Sequence, residues 1–167
     1  MQRRVGGSGG RGSAEGSGER TSTARRRDEG PHDRSATSTD AAGNTSAASS
    51  ALAVTIDTTA PAAPAALDLD AASDTGSADD DDITNDDTPS IGGTAEANST
   101  VALTSSIAGS VGTGTADGSG NWTIITSTLA DGSHDLSATS TDAAGNTSVA
   151  SSALTVAIDT TAPAAPA

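Results

Sequence analysis

Residues 32–65 and 134–167 carry the same sequence at 30 of 34 positions, at a constant offset of 102. Chance does not produce such a match, and internal repetition is the first thing to settle in any chain, because it defines the unit that must fold. The 167 residues therefore hold one whole unit plus the tail of the unit before it, and they stop where a third would begin. The expected organisation is a piece of a longer tandem array.

The same register extends backwards. Ala14-Glu15-Gly16-Ser17-Gly18 falls on Ala116-Asp117-Gly118-Ser119-Gly120, and Gly30 falls on Gly132. The large apolar positions are lost on the way: Trp122 is matched by Arg20, Ile124 by Ser22, Leu129 by Arg27 and Leu136 by Arg34. A solvated basic arm or a nucleic-acid tail are alternative readings. The preferred one is a degenerated or misread copy without its core, so residues 1–34 are expected to be disordered.

Within the complete unit, turn residues punctuate short runs rich in β-branched side chains. Strands are predicted over 65–72, 88–94, 100–106, 110–116, 122–127, 135–141 and 152–159. Apolar residues alternate with Ser and Thr at Val101 and Leu103, Trp122 and Ile124, Leu136 and Ala138, and Leu154, Val156 and Ile158. A period of two with one apolar face means antiparallel sheets packed face to face. Asp117 to Asn121 is expected to be a hairpin turn, since Gly and Asn accept positive φ.

Seven short strands and no helix-period stripe predict an all-β fold, an immunoglobulin-like Greek-key sandwich. His134 stands two residues before core position Leu136, where immunoglobulin domains place a Tyr; its ring would fill that corner and bond to backbone. An exposed loop His is the alternative. The boundaries that follow are 1–34 for the degenerate Arg/Gly-rich segment, 35–59 for the end of the preceding Ig-like repeat, 60–64 for a linker, 65–159 for the complete domain and 160–167 for the next linker. Proline-containing linkers of this kind favour an extended, semi-rigid spacer.

Composition narrows function. The chain has no Cys, Phe or Tyr, which excludes a disulfide framework, a thiolate metal site, a cysteine nucleophile and a base-stacking surface. Nothing in it reaches the length of a membrane-spanning apolar run, and Met1 opens no signal-peptide pattern. Leu, Ile and Val are sparse enough for composition alone to suggest disorder. All eight basic residues are Arg at or before Arg34, and the 17 acids from Ser35 onward face no base. Such a chain repels nucleic acid and anionic membranes, and its natural partner is a hard cation such as Ca²⁺.

Placing the loops of the sandwich gives two candidate sites. Asp57, Glu96 and Asp142 are expected to converge where the chain enters the domain, with an Asn side chain and carbonyls completing an oxygen set for Ca²⁺; solvated acids with no ion are the alternative. At the opposite end Asp74 faces the acidic run of residues 79–87, from which Asp79, Asp81 and Asp86 are candidate ligands. Asp117-x-Ser119-x-Asn121 lacks the distal Glu of a calcium loop and reads as a turn.

Several pieces in order carry a resemblance: Ile158-Asp159-Thr160-Thr161-Ala162-Pro163, Asn85 to Glu96 (NDDTPSIGGTAE), Ala116 to Trp122 (ADGSGNW), Leu129 to His134 (LADGSH) and Ala138 to Asn146 (ATSTDAAGN). Together they resemble the bacterial Ig-like repeats of giant surface adhesins over essentially all of 60–167. The resemblance implies a cell-surface or secreted protein, type I export, roles in adhesion and biofilm formation, and Ca²⁺ at repeat junctions, with Asp57, Asp159, Glu96 and Asp142 at the motif positions. The expected function is a non-enzymatic extender whose partners are neighbouring Ig-like repeats. One rival is a module of the same fold gripping carbohydrate or a host protein. Another is an acidic disordered spacer. An enzyme is least expected, since near-identical duplication of the richest polar segment suits a repeated building block better than one active site, and no motif places a Ser, Cys or acid partner for a catalytic His.

Overall fold

A computed structural model describes residues 28–76, 78 and 80–166. The chain forms two compact units that meet at Ile56 and Asp57. In the described part of the first, β1 (Gly30–Arg34) pairs antiparallel with β2 (Leu52–Ile56), from Gly30 opposite Ile56 to Arg34 opposite Leu52. Disorder was the expectation for 1–34, and over Gly30–Arg34 it is corrected: backbone pairing with an intact partner strand is local and does not need the lost core residues. The rest of that expectation, residues 1–27, lies outside the described residues.

The second unit is a two-sheet sandwich. Its strands are β3 (Ala65–Leu69), β4 (Ile83–Thr84), β5 (Ser90–Thr94), β6 (Thr100–Ser105), β7 (Gly109–Thr115), β8 (Asn121–Ile125), β9 (Gly132–Thr141) and β10 (Leu154–Ile158). One sheet has the order β3-β5-β8 and the other β4-β10-β9-β6-β7. This is the Greek-key pattern expected from seven alternating segments, and each predicted strand is found within a few residues of its place.

Two features differ from expectation. β4, only two residues long, pairs parallel to β10, so the chain leaves one sheet after β3 and joins the other before returning as β5. Asp117 to Asn121 is a turn, but not a hairpin: it joins β7 to β8, which belong to different sheets. Local residue chemistry specifies the bend, whereas the partner of each flanking strand is a tertiary choice.

The core lies between the sheets. Ile91, Val101, Leu103, Leu136 and Val156 are fully buried, with Trp122, Ile124, Leu129 and Ile158 nearly so. Large residues on β8 pack onto glycines opposite. A Cβ on Gly93 would stand 2.6 Å from Trp122 Cζ2, and one on Gly112 would stand 2.5 Å from Ile124 Cγ2. A chain poor in large apolar residues thus reaches close packing by removing side chains on facing strands.

Candidate functional site

One turn recurs three times. In Asp40–Asn44, Asp117–Asn121 and Asp142–Asn146, the Asp Oδ1 accepts from the backbone N–H of the Asn four residues on, at 2.8, 2.9 and 2.9 Å. It also accepts from the N–H two residues on, at 3.0, 2.8 and 2.8 Å. The fourth residue is Gly at φ 92°, 88° and 92°, the left-handed region that a side chain disfavours. Hydrogen bonds to Asn44, Asn121 and Asn146 hold the three carboxyls below the usual Asp range, because each bond favours the ionised form.

The Asp142 turn fixes the incoming chain. Asn146 Nδ2 donates both to Asp142 Oδ2 at 2.8 Å and to the Asp57 carbonyl at 3.2 Å. Ser140 Oγ donates to the Ala62 carbonyl at 3.2 Å, and Pro61 and Pro64 are buried. The residues expected to form a linker are therefore docked on the sandwich. Asp57 Oδ1 caps its own bend by accepting from Thr59 N–H at 3.0 Å, and Asp159 Oδ1 does the same with Thr161 N–H at 3.1 Å. Glu96 is exposed in the turn after β5, where its carbonyl accepts from Ser99 N–H.

The structure thus brings Asp57 to the Asp142 turn through an amide side chain. Among the described residues no three His, Asp or Glu side chains are grouped to hold a metal ion, so Asp57, Glu96 and Asp142 do not form a ready-made three-carboxylate cage. Sequence reasoning missed Asp131. Its Oδ1 accepts from Thr160 N–H at 3.1 Å and Thr160 Oγ1 at 2.8 Å, and its Oδ2 accepts from Thr161 Oγ1 at 2.9 Å. Those bonds, Thr160's hydroxyl first, hold its carboxyl below the usual range. Its two partners are 29 and 30 residues away, so no local motif marks it.

The acidic loop between β3 and β4 has the opposite electrostatics. Asp74 is buried; its Oδ2 accepts from Asp82 N–H at 3.3 Å, while its Oδ1 has no donor. Burial, and then the charges of Asp74, Asp68 and Asp81, push the Asp82 carboxyl up. Asp81 Oδ1 accepts from Ile83 N–H, and Asp86 is engaged by Ser73 Oγ and by Thr88. Asp79, the remaining candidate ligand, lies outside the described residues.

His134 fills the corner expected of it. The ring is buried, with Nε2 2.9 Å from the Ala130 carbonyl and Nδ1 2.9 Å from Ser105 Oγ. A carbonyl only accepts, so Nε2 carries the proton and Nδ1 accepts from the Ser105 hydroxyl. That hydroxyl's oxygen in turn receives the N–H groups of Ile107 and Ala108. Every polar atom of the ring is spent on structure.

Strand order, buried corner and sheet-crossing turns define an immunoglobulin-like sandwich. The Bacterial Ig-like domain family matches residues 60–160, and the chain belongs to that family. No curated protein matches it. Domains of this family are typically extracellular or surface-exposed. No helix among the described residues is long and apolar enough to cross a membrane.

Proposed function

We propose that this chain is a non-enzymatic extender of a bacterial cell-surface adhesin, supporting adhesion and biofilm formation by holding a distal binding region away from the cell. Neighbouring Ig-like repeats of the same polypeptide are its partners. The observation that carries this reading is the docked incoming segment: Pro61 and Pro64 are buried and the Asp57 and Ala62 carbonyls are bonded to the domain. A segment held against its own domain leaves little free tether before it, which suits an extender better than a loose spacer would. Trp122, the chain's one aromatic residue besides its two His, is buried. A sugar-binding role would lack the exposed aromatic platform that such sites use.

Calcium stiffening belongs to the same proposal. Of the two places the Asp74 loop has the stronger motive to take a cation, since a buried carboxylate oxygen without a donor is costly and a hard cation offsets that cost, although the described carboxylates there are not grouped as a ready-made site. Asp74, Asp81 and Asp86 would be its side-chain ligands. At the junction, Asp57, Glu96 and Asp142, and Asp159 at the outgoing end, would bind through lone pairs that their turns leave free.

A thermal melt of the whole chain in EDTA, in millimolar Ca²⁺ and in NaCl of equal ionic strength tests it. The expected result is a rise in Tm with Ca²⁺ alone, largely lost in Asp74→Asn and reduced in Glu96→Gln. Equal melts under all conditions would remove calcium and leave a metal-free extender. A random-coil spectrum throughout would overturn the extender itself.

A further inference from the structure

Four of the five asparagines open the pattern Asn-x-Ser/Thr with x other than Pro: Asn44-Thr45-Ser46, Asn98-Ser99-Thr100, Asn121-Trp122-Thr123 and Asn146-Thr147-Ser148. That is the acceptor pattern for attaching a sugar to an Asn side chain in a surface loop. The reaction uses the amide nitrogen, which must turn out of conjugation with its carbonyl to become a nucleophile. A nitrogen already held as a hydrogen-bond donor resists that rotation.

Three of the four are held in this way. Asn44 Nδ2 donates to Asp40 Oδ2 and Asn146 Nδ2 to Asp142 Oδ2, both at 2.8 Å, and the Asn121 side chain is hydrogen-bonded to Asp117. Asn98 differs. It is exposed in the turn between β5 and β6, at φ 63°. Its backbone N–H donates to the Ala116 and Asp117 carbonyls at 3.1 and 3.3 Å, while its side-chain amide makes no hydrogen bond among the described residues. Thr100, which supplies the hydroxyl the pattern requires, is exposed at the start of β6.

The residues around the four sites single out the same one on separate grounds. Two positions before the acceptor stand Ala42, Ser119 and Ala144 at the three held sites, but Glu96 before Asn98. An acid at that place is read by bacterial transferases that take their sugar from a lipid diphosphate, through a charge-assisted contact with a cationic group. Glu96, Asn98 and Thr100 are all exposed, with Ser99 buried beneath them, so the three groups that an enzyme would read reach solvent together.

We propose that Asn98 is an N-glycosylation site. The donor is a sugar activated at C1 as the diphosphate ester of a lipid or a nucleoside. Asn98 Nδ2 attacks C1; the Nδ2–C1 bond forms, the C1–O bond breaks and its electron pair leaves with the diphosphate, and one amide proton passes to a base on the transferase. Few bonds hold the turn, so it opens locally to enter an active site. Thr100 pairs with Thr141, which places the glycan beside the Asp142 turn and adds hydrated bulk at that end of the domain. The inference rests on neither calcium nor the extender reading.

The intact folded chain is incubated in two arms: a bacterial membrane oligosaccharyltransferase with a lipid-diphosphate-linked oligosaccharide, and a soluble Asn-glucosyltransferase with UDP-glucose. Intact mass and peptide mapping read the product. The expected result is one glycan per chain, on Asn98, and the arm that yields it identifies the donor. Asn98→Gln and Thr100→Val are expected to abolish transfer, whereas Thr100→Ser keeps it. With the lipid donor Glu96→Gln lowers the rate about tenfold, the loss of one charge-assisted contact. These substitutions are at exposed positions, and Trp122 fluorescence checks that each variant is folded. No transfer in either arm would overturn the proposal. So would transfer to Asn44, Asn121 or Asn146 as fast as to Asn98, or transfer to Asn98 only after heat denaturation.

Discussion

The hairpins β1–β2 and β9–β10 are one sequence in two settings. Their registers are the same at an offset of 102: Gly30 opposite Ile56 and Gly132 opposite Ile158, through Arg34 opposite Leu52 and Leu136 opposite Leu154. Both carry a bridge between threonines, Thr39 with Thr45 and Thr141 with Thr147. Both place a His Nε2 on the carbonyl four residues before it, at 2.7 Å for His32 and 2.9 Å for His134. Burial separates them. Val54 is 38% exposed, whereas Val156 is fully buried. Pairing, turn and corner are thus local properties of some 30 residues, but among the described residues a buried core is found only where a second sheet closes over them.

Four paired strand positions differ, Pro31/Ser133, Arg34/Leu136, Ala53/Thr155 and Thr55/Ala157, and the sharpest way to break the comparison is to exchange the pair that swaps a charge for a large apolar residue. Leu136→Arg puts a charge in a fully buried position with no partner, and is expected to cost more than about 4 kcal/mol and unfold the domain. Arg34→Leu changes an exposed position, and its expected effect on the melt is within about 0.5 kcal/mol. Chemical denaturation followed by Trp122 fluorescence reads the first. Next comes His134→Ala, which empties a buried site and strands the Ser105 hydroxyl and the Ala130 carbonyl; about 3 kcal/mol is expected, against less than about 1 kcal/mol for His32→Ala. Equal losses at 32 and 134 would mean that the corner works without the core.

Glycines facing β8 come third. Gly93→Ala and Gly112→Ala each drive a methyl into a buried side chain, and the Cβ added at Gly93 would also stand 3.1 Å from the Ala65 carbonyl oxygen. Destabilisation of about 1–3 kcal/mol is expected from overpacking. Nothing in the run from Ser90 to Thr94 announces this, because the constraint comes from Trp122 across the sheet. The same division explains what was legible elsewhere. Alternation along β6, β8, β9 and β10 exposes one face at a time, so those strands and their inward residues are readable. The two residues of β4 sit among Asp side chains and show no period, and their pairing follows only from where β10 lies. For the candidate site, the Asp117 to Asn121 turn was readable because its bonds span only two to four residues. Asp131 and the orphaned oxygen of Asp74 were not, because one depends on partners about 30 residues distant and the other on burial.

The smallest expected effects compare the hydrogen-bonded Asp residues with the acidic loop as pH changes. Asp117 and Asp142 at one end of the sandwich, and Asp131 at the start of β9, are held below the ordinary Asp value by hydrogen bonds to their ionised forms. Their contribution is fully present above the unfolded value near 3.8 and is lost as pH falls through the lower folded values. At the loop end, Asp82 is raised by burial and by its acidic neighbours. It favours the fold below the unfolded value, and that advantage disappears as pH rises through its folded value. Asp82→Asn is therefore expected to raise Tm at neutral pH and to leave it unchanged at pH 3, whereas Asp142→Asn lowers Tm at neutral pH and has little effect once acid has already removed the charge. If Asp82→Asn lowers Tm at neutral pH in EDTA, repulsion within the loop is not what limits that end. The same substitution made in millimolar Ca²⁺ tests the calcium proposal: a cation held beside Asp82 would turn its charge from a cost into a contribution and reverse the sign of the change, whereas an unchanged sign would speak against one.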